Sequence, residues 1–400
     1  MRAMWAVGAA AVVLGLAACG DARTPEPPRT APASADAAPG AASAQPPAAQ
    51  AAAPFRWAQT LAWSSDRTGV LVTLSEPWKD ARNVLHYRLV RGGSPPGPPP
   101  APDAADRSDI VVPARRIAVL AAVHTGFLEA LGAAGRIVAV DARHHVYSPD
   151  VRAALAAGTV VEVGSGAGLN VERLLAARPD LVLVNAVGVS EYAAYERLRR
   201  AGIPVLVTAE WMEHHPLARA EWVRLVGLLV GEEARADSVF AAVEAAYVRT
   251  AERARGFTRR PTVLLGGPYR DQWFVAGGRS FMAHLIDDAG GEYLWRTDTT
   301  RGGVPLGFEN VLVTARRAEV WLHPGVWKTL ADGERQDARF REFDAFRQGA
   351  VFNSDARLHP DGANDYWESG TVRPDRVLQD LVTIFHGSGD SLFYYRRTPP

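Results

Sequence analysis

Two stretches of the 400-residue chain carry the same phrase, NVERLLAARPDLVLV at 170–184 and GFENVLVTARRAEVWL at 307–322. Each has a helix-starting residue, an apolar residue, a glutamate, a short helical run, a charged turn and a buried-strand pattern. Glu172 and Glu309 both fall at the second helical position. One carboxylate in the first turn of a helix needs no function, because the helix dipole already favours it by about 0.3–1 kcal/mol. Two copies, one in each half of the chain, place an exposed carboxylate at corresponding points of two similar units. The chemistry on offer is ion pairing with cations of a partner.

A second group of residues could bind a ligand. In open α/β sheets, sites lie outside the carboxyl ends of strands. The loops expected there carry Arg143, His144, His145 and Tyr147, then Glu210, Trp211, Glu213, His214 and His215. In the second half they carry Tyr269, Arg270, Trp273, His323, Trp327, Asp355, Arg357, Tyr366 and Trp367. Flat aromatic side chains suit a large, partly apolar chelate or macrocycle, and the arginines suit carboxylate, catecholate or phosphate. The ligand-binding candidates are therefore His144, His145, Tyr147, Trp211, Tyr269, Arg270, Trp273, Trp327, Arg357, Tyr366 and Trp367.

The histidine pairs also raise bare metal. Adjacent histidines on a strand or loop point apart, so one pair seldom gives two ligands to one ion. A zinc site would need histidines from different loops with Glu210, Glu213 or Asp355, and no metal ligand set is assigned. Catalytic signatures are missing. Gly164–Gly168 lacks the Lys-Ser/Thr ending of a phosphate loop. There is no Gly-x-Ser-x-Gly elbow, no His-Glu-x-x-His pair and no acid/base dyad. A binding protein without catalysis or resident cofactor is expected.

The elements that must position these residues follow from the pattern. Residues 1–18 read as a signal peptide, with Arg2 before a short apolar run ending Leu16-Ala17-Ala18-Cys19. Small residues before a cysteine resemble a bacterial lipobox, which implies lipid on Cys19. Cys19 is the only cysteine, so the folded part has neither disulfide nor thiol chemistry. Residues 19–54, rich in Ala and Pro, cannot bury a core and read as a tether. Residues 55–112 hold two strands, 69–74 and 85–90, of a small β appendage. From Pro113, strands alternate with helices, which argues for parallel sheets covered on both faces. The reading is α/β: an N-terminal lobe over 113–212, a bridging helix region over 213–256 divided at Gly231, a C-terminal lobe over 257–387, and a tail over 388–400. The 44 basic and 44 acidic residues cancel, and no basic stripe invites nucleic acid.

The order of several pieces resembles the periplasmic substrate-binding proteins of ABC importers, in the branch for ferric siderophores, haem and cobalamin. The pieces are the lipobox, RIAVLAAVHTGFLEALG at 116–132, Val138–Asp141, Gly168–Glu172 and Arg178–Leu183. The helix near Pro216, Phe346–Phe352 and Arg373-Pro374-Asp375 extend the likeness over 113–387. The resemblance implies an interlobe ligand, either an iron chelate, haem or a corrinoid. It also implies a monomer lipid-anchored to a bacterial membrane and facing the periplasm. Glu172 and Glu309 would dock on arginines of the ABC permease, which works with its ATPase. The alternatives are a zinc- or manganese-binding importer component and a cell-envelope α/β enzyme.

Overall fold

Strand β1 (Leu61–Asp66) pairs antiparallel with β2 (Gly69–Leu74), and β2 with β3 (Leu85–Arg91). Strand β4 (Arg107–Val112) then lies parallel to β3. The sequence foretold β2 and β3; β1 (LAWSSD) and β4 (RSDIVV) are too polar to announce themselves. Side chains of a strand alternate between its faces, and Val72, Leu74, Leu85, Tyr87 and Leu89 point inward. Their apolar cluster is continuous with that of the neighbouring lobe, so the appendage is part of the body. The computed structural model describes residues 55–400 apart from 68, 80, 82–83, 93–106, 187, 270–271 and 388. The signal peptide, Cys19, the tether and Arg270 lie outside the described residues.

The first lobe runs β5 (Ile117–Val119), α1 (Ala122–Ala130), β6 (Ile137–Val140), α2 (Pro149–Ala156) and β7 (Val161–Glu162), followed by α3 (Val171–Ala177), β8 (Leu181–Asn185), α4 (Val189–Arg200) and β9 (Val205–Thr208). Its sheet has the order β7-β6-β5-β8-β9, and every pairing is parallel. Strands β5, β6 and β9 are buried along their whole length, as a parallel sheet covered on both faces requires. Asp180 fixes where the sheet begins: its carboxylate accepts the backbone N–H of Arg115 and Arg116 at 2.8 and 3.0 Å.

Three helices follow: α5 (Pro216–Glu221), α6 (Val223–Val230) and α7 (Glu233–Arg255). Gly231 caps α6 in the left-handed region at φ 69°, so the expected break is there. A further break at Trp222 was not expected; the connection is segmented, with α7 its longest piece at 23 residues. The chain leading into the appendage is fastened to these helices by two buried carboxylates. Glu221 accepts the backbone N–H of Arg56, Trp57 and Ala58 at 2.7–2.9 Å. Glu213 accepts those of Gln59 and Thr60 at 3.0 and 3.1 Å, and the Thr60 hydroxyl at 2.6 Å.

The second lobe contains β10 (Thr262–Leu265), β11 (Pro268–Tyr269), β12 (Gln272–Ala276), α8 (Phe281–Asp288), β13 (Glu292–Tyr293), β14 (Gly303–Leu306) and α9 (Phe308–Ala315). It continues through β15 (Val320–Leu322), α10 (Leu330–Gln336), α11 (Asp344–Arg347), β16 (Val351–Asn353), α12 (Asp365–Glu368), α13 (Pro374–His386) and β17 (Arg396–Arg397). The main sheet has the order β13-β10-β15-β16-β17. Strand β12 joins β11 and β14 in a separate antiparallel sheet. Residues 338–342 form a 3-10 turn, followed by the short α11. The tail adds β17 antiparallel to β16, and Asp380 on α13 accepts the backbone N–H of Phe393, Tyr394 and Tyr395 at 2.6–3.0 Å. Among the described residues, no helix is long and apolar enough to cross a membrane.

Candidate functional site

Glu172 and Glu309 take the same local position. Asn170 caps α3 by accepting the Arg173 N–H at 2.9 Å, and Glu172 is its second residue. Gly307 starts α9, and Glu309 is its second residue. Both glutamates are exposed. Glu309 is 3.4 Å from Arg339, whose guanidinium lies 3.9 Å over the Phe308 ring. A surface ion pair of this kind is worth at most about 1 kcal/mol.

The ends of the strands converge on a polar zone where the two lobes touch. His124 on α1 is fully buried, its Nε2 is 2.8 Å from the Thr208 hydroxyl, and burial lowers its pKa to about 3. The Asn185 amide donates to Thr208 and to both carboxylate oxygens of Glu210 at 3.1–3.2 Å. Burial pushes the Glu210 carboxyl up, against the pull of the Arg219 charge. Arg219 on α5 donates to the Thr371 hydroxyl at 3.2 Å and lies 4.0 Å over the Phe281 ring. Its Nε is buried without a partner among the described residues. From the other side, His323 ends β15 at φ 54°, a left-handed conformation rare outside glycine. Burial lowers its pKa to about 4, and its ring meets the Tyr395 hydroxyl at 2.5 Å.

The lobes are tightly apposed here. The Glu368 carboxylate on α12 accepts the backbone N–H of Tyr147 and Ser148 at 2.7 and 2.8 Å. A Cβ on Gly126 of α1 would lie 2.0 Å from the Glu368 carbonyl oxygen. Arg152 pairs with Asp361 at 2.5 Å. The void lined by Arg219, Phe281, Tyr366 and Trp367 holds about 20 Å³, room for one or two waters.

The expected ligand residues divide into groups. Tyr147, Arg357, Tyr366 and Trp367 lie in this zone: the Arg357 guanidinium is 5.2 Å over the Tyr147 ring, and the Tyr366 and Trp367 rings are 5.0 Å apart. Tyr366 is buried, whereas Trp367 is 56% exposed. Trp211 stands beside Glu210 in a 3-10 turn, with its indole N–H unpartnered among the described residues. His144 and His145 occupy another turn after β6. The Asp141 carboxylate is 2.6 Å from His145 and raises its pKa. Tyr269 is 40% exposed on β11. Trp273 and Trp327 are not at the mouth of a cleft. They are 1% and 3% exposed, packed on Trp321, Phe340 and Phe346 inside the second lobe. Tryptophans next to strand ends serve packing as readily as recognition, and period alone does not separate the two.

Sequence reasoning did not single out Glu368, Arg219 or His124. Helix and strand patterns do not mark a carboxylate that a distant backbone will cover. Among the described residues, no three His, Cys, Asp or Glu side chains are gathered so as to hold a metal ion.

Comparison with known proteins places this geometry. The profile of the periplasmic binding protein family matches residues 117–358. An uncharacterized lipoprotein of Methanocaldococcus jannaschii is 24% identical over 292 residues, which cover 69% of this chain and 66% of the relative, just under two thirds of its length. A periplasmic heme-binding protein from Pseudomonas aeruginosa superposes with a TM-score of 0.56 at 20% identity, covering 72% of this chain and 99% of that one. A periplasmic heme-binding protein from Roseiflexus sp. RS-1 in apo form gives 0.53 at 23% identity, covering 69% and 99%. The profile spans both α/β sheets and the helical connection, and the chain belongs to the periplasmic binding protein family.

Proposed function

We propose that this protein is the lipid-anchored substrate-binding component of an ABC importer. It takes an iron chelate, haem or a corrinoid between its lobes and hands it to the membrane permease. The observation that carries the reading is the twin placement of Glu172 and Glu309, one per lobe, at the same position of α3 and α9. A two-lobed carrier meeting a two-subunit channel needs one contact on each lobe, and rim carboxylates facing arginines steer association and set register. The group of Tyr147, Arg357, Tyr366 and Trp367, in which Arg357 is paired with Asp365, supports a large, partly apolar ligand. Haem stands among the candidates because both fold relatives bear that ligand in their names. Anchoring through Cys19 is supported by the sequence before it and by a relative named as a lipoprotein. The Glu368 bonds to Tyr147 and Ser148 and the close approach at Gly126 join the lobes where such a ligand would enter.

The test is tryptophan fluorescence of the full chain, titrated with ferric siderophores, haem, cyanocobalamin and zinc. Saturable quenching by one organic ligand with a Kd of about 1 µM or tighter, at least about 8 kcal/mol, is the expected result. A response to zinc alone assigns the protein to metal import, and silence towards the whole panel overturns the reading.

A further inference from the structure

A second recess lies apart from the Glu368 contact, between the leading segment of the appendage and α8. It measures about 430 Å³, within the range of about 300–1,000 Å³ found for small-molecule pockets. Arg56, Trp57 and Gln59 line it, all three before the part of the chain that defines the family. His214, His215, Arg279 and His284 complete its lining.

The lining is held in place. The backbone of 56–60 is fixed by Glu213 and Glu221, as described. The Trp57 indole N–H donates to Glu244 at 2.6 Å, and its ring stacks on His215 at 4.5 Å. His215 accepts the Leu217 N–H through Nδ1 and turns Nε2 towards Asp288, 3.6 Å away. His284 uses Nδ1 on the Ser280 carbonyl at 2.9 Å, so its Nε2 is the free ring nitrogen.

The charge is not balanced within the recess. No carboxylate is among its lining residues. The acids nearby are already engaged: Glu244 with Arg56, Asp288 with His215 and Tyr247, and Glu76 with Arg301. Among the described residues the Arg279 guanidinium has no acidic partner. Burial together with the positive charges of Arg301, Arg279 and His284 holds the His214 pKa down, against the weaker opposing pull of Glu76. An indole held by Glu244 and a guanidinium with no acidic partner among the described residues are complementary to a flat anion.

We propose that this recess is a binding site for a planar aromatic carboxylate. Its carboxylate is taken by the Arg279 guanidinium, joined by His284 only as an imidazolium, because Nδ1 already gives its proton to the Ser280 carbonyl and the neutral ring has no proton on Nε2; its ring lies against Trp57. The proposal goes beyond import: it concerns residues of the leading segment and does not require a ligand between the lobes.

The experiment titrates the full chain with 2-naphthoate and, separately, with its neutral analogue 2-naphthylmethanol. Binding is read by calorimetry and by the histidine ring resonances in NMR. One saturable site for 2-naphthoate is expected, with the His214 and His284 signals moving, and with the neutral analogue bound at least about tenfold more weakly, as a charge-assisted contact requires. Arg279→Gln and Trp57→Leu should each weaken 2-naphthoate by about tenfold or more, and Arg357→Gln should leave it unchanged. The Arg279 variant, at an exposed position, keeps the test clear of folding defects that Trp57→Leu could cause. Equal affinity for the neutral analogue, affinity indifferent to Arg279→Gln, or no saturable binding overturns the site. Arg279→Gln leaves the Tyr147, Arg357, Tyr366 and Trp367 group intact, so loss of naphthoate binding with chelate capture retained separates this site from the import reading.

Discussion

The Glu368 carboxylate accepts the Tyr147 backbone N–H at 2.7 Å, and the bond crosses from the second lobe to the first. A residue from a four-residue helix thereby closes the boundary between two sheets. Burial, with Glu129 and Asp365 nearby, raises its pKa from 4.5 to about 8, although the two backbone donors oppose the shift.

The sign of its effect on stability follows. The folded state holds this proton more tightly than the unfolded chain. Its contribution is therefore full below about pH 4.5 and declines as pH rises to about 8. Thermal melts of the parent should lose stability across that window relative to Glu368→Gln, by up to about 1.4 kcal/mol per pH unit. Parallel pH profiles for the two proteins would contradict this.

Gly126→Ala tests how closely the lobes must meet. The added methyl would lie 2.0 Å from the Glu368 carbonyl, a backbone atom with little room to yield. Overpacking of this kind costs about 1–3 kcal/mol. The variant should melt lower and show a larger radius of gyration in X-ray scattering. An unchanged radius with unchanged melting would mean that α1 and α12 separate freely in solution.

Glu172→Lys combined with Glu309→Lys should abolish ligand uptake in cells while leaving the affinity for ligand in solution within about twofold, because rim charges govern encounter more than the bound pocket. Each single reversal should give an intermediate rate. Normal uptake by the double variant removes docking from the account.

Glu221→Leu leaves three backbone N–H groups of the leading segment without acceptors. Unsatisfied buried donors cost about 1–3 kcal/mol each. Limited proteolysis should then cut before Leu61 much faster than in the parent, with Glu213→Leu behaving alike. Resistance equal to the parent would show that apolar packing of Phe55 and Trp57 is enough.

Much of the scaffold was legible in the sequence because its signals are local. Residues 181–184 and 205–207 are continuous apolar runs, Asn170 is a cap, and Gly231 is a stop. The site was less so. Whether Trp273 faces a ligand or Trp321 depends on a partner 48 positions away in sequence, and the answer here is Trp321 at 5.3 Å. Glu368 takes its meaning from Tyr147, 221 positions earlier, and the strand β17 from contacts made only once the whole second sheet exists. Arg219, read as part of the bridging helix region, meets Thr371 across 152 residues. Periodicity records which face is buried; it does not record what lies opposite.

The fastening of residues 56–60 also has a mechanical side. Tension on the chain before Phe55 does not act first on a sheet edge that could peel strand by strand. It acts on five backbone amides gripped side by side by Glu213 and Glu221 at the head of the helical connection. Those bonds would share a pull instead of failing in turn. A protein tugged from its amino end would thus carry the load at the head of the helical connection, and neither parallel sheet would be strained first.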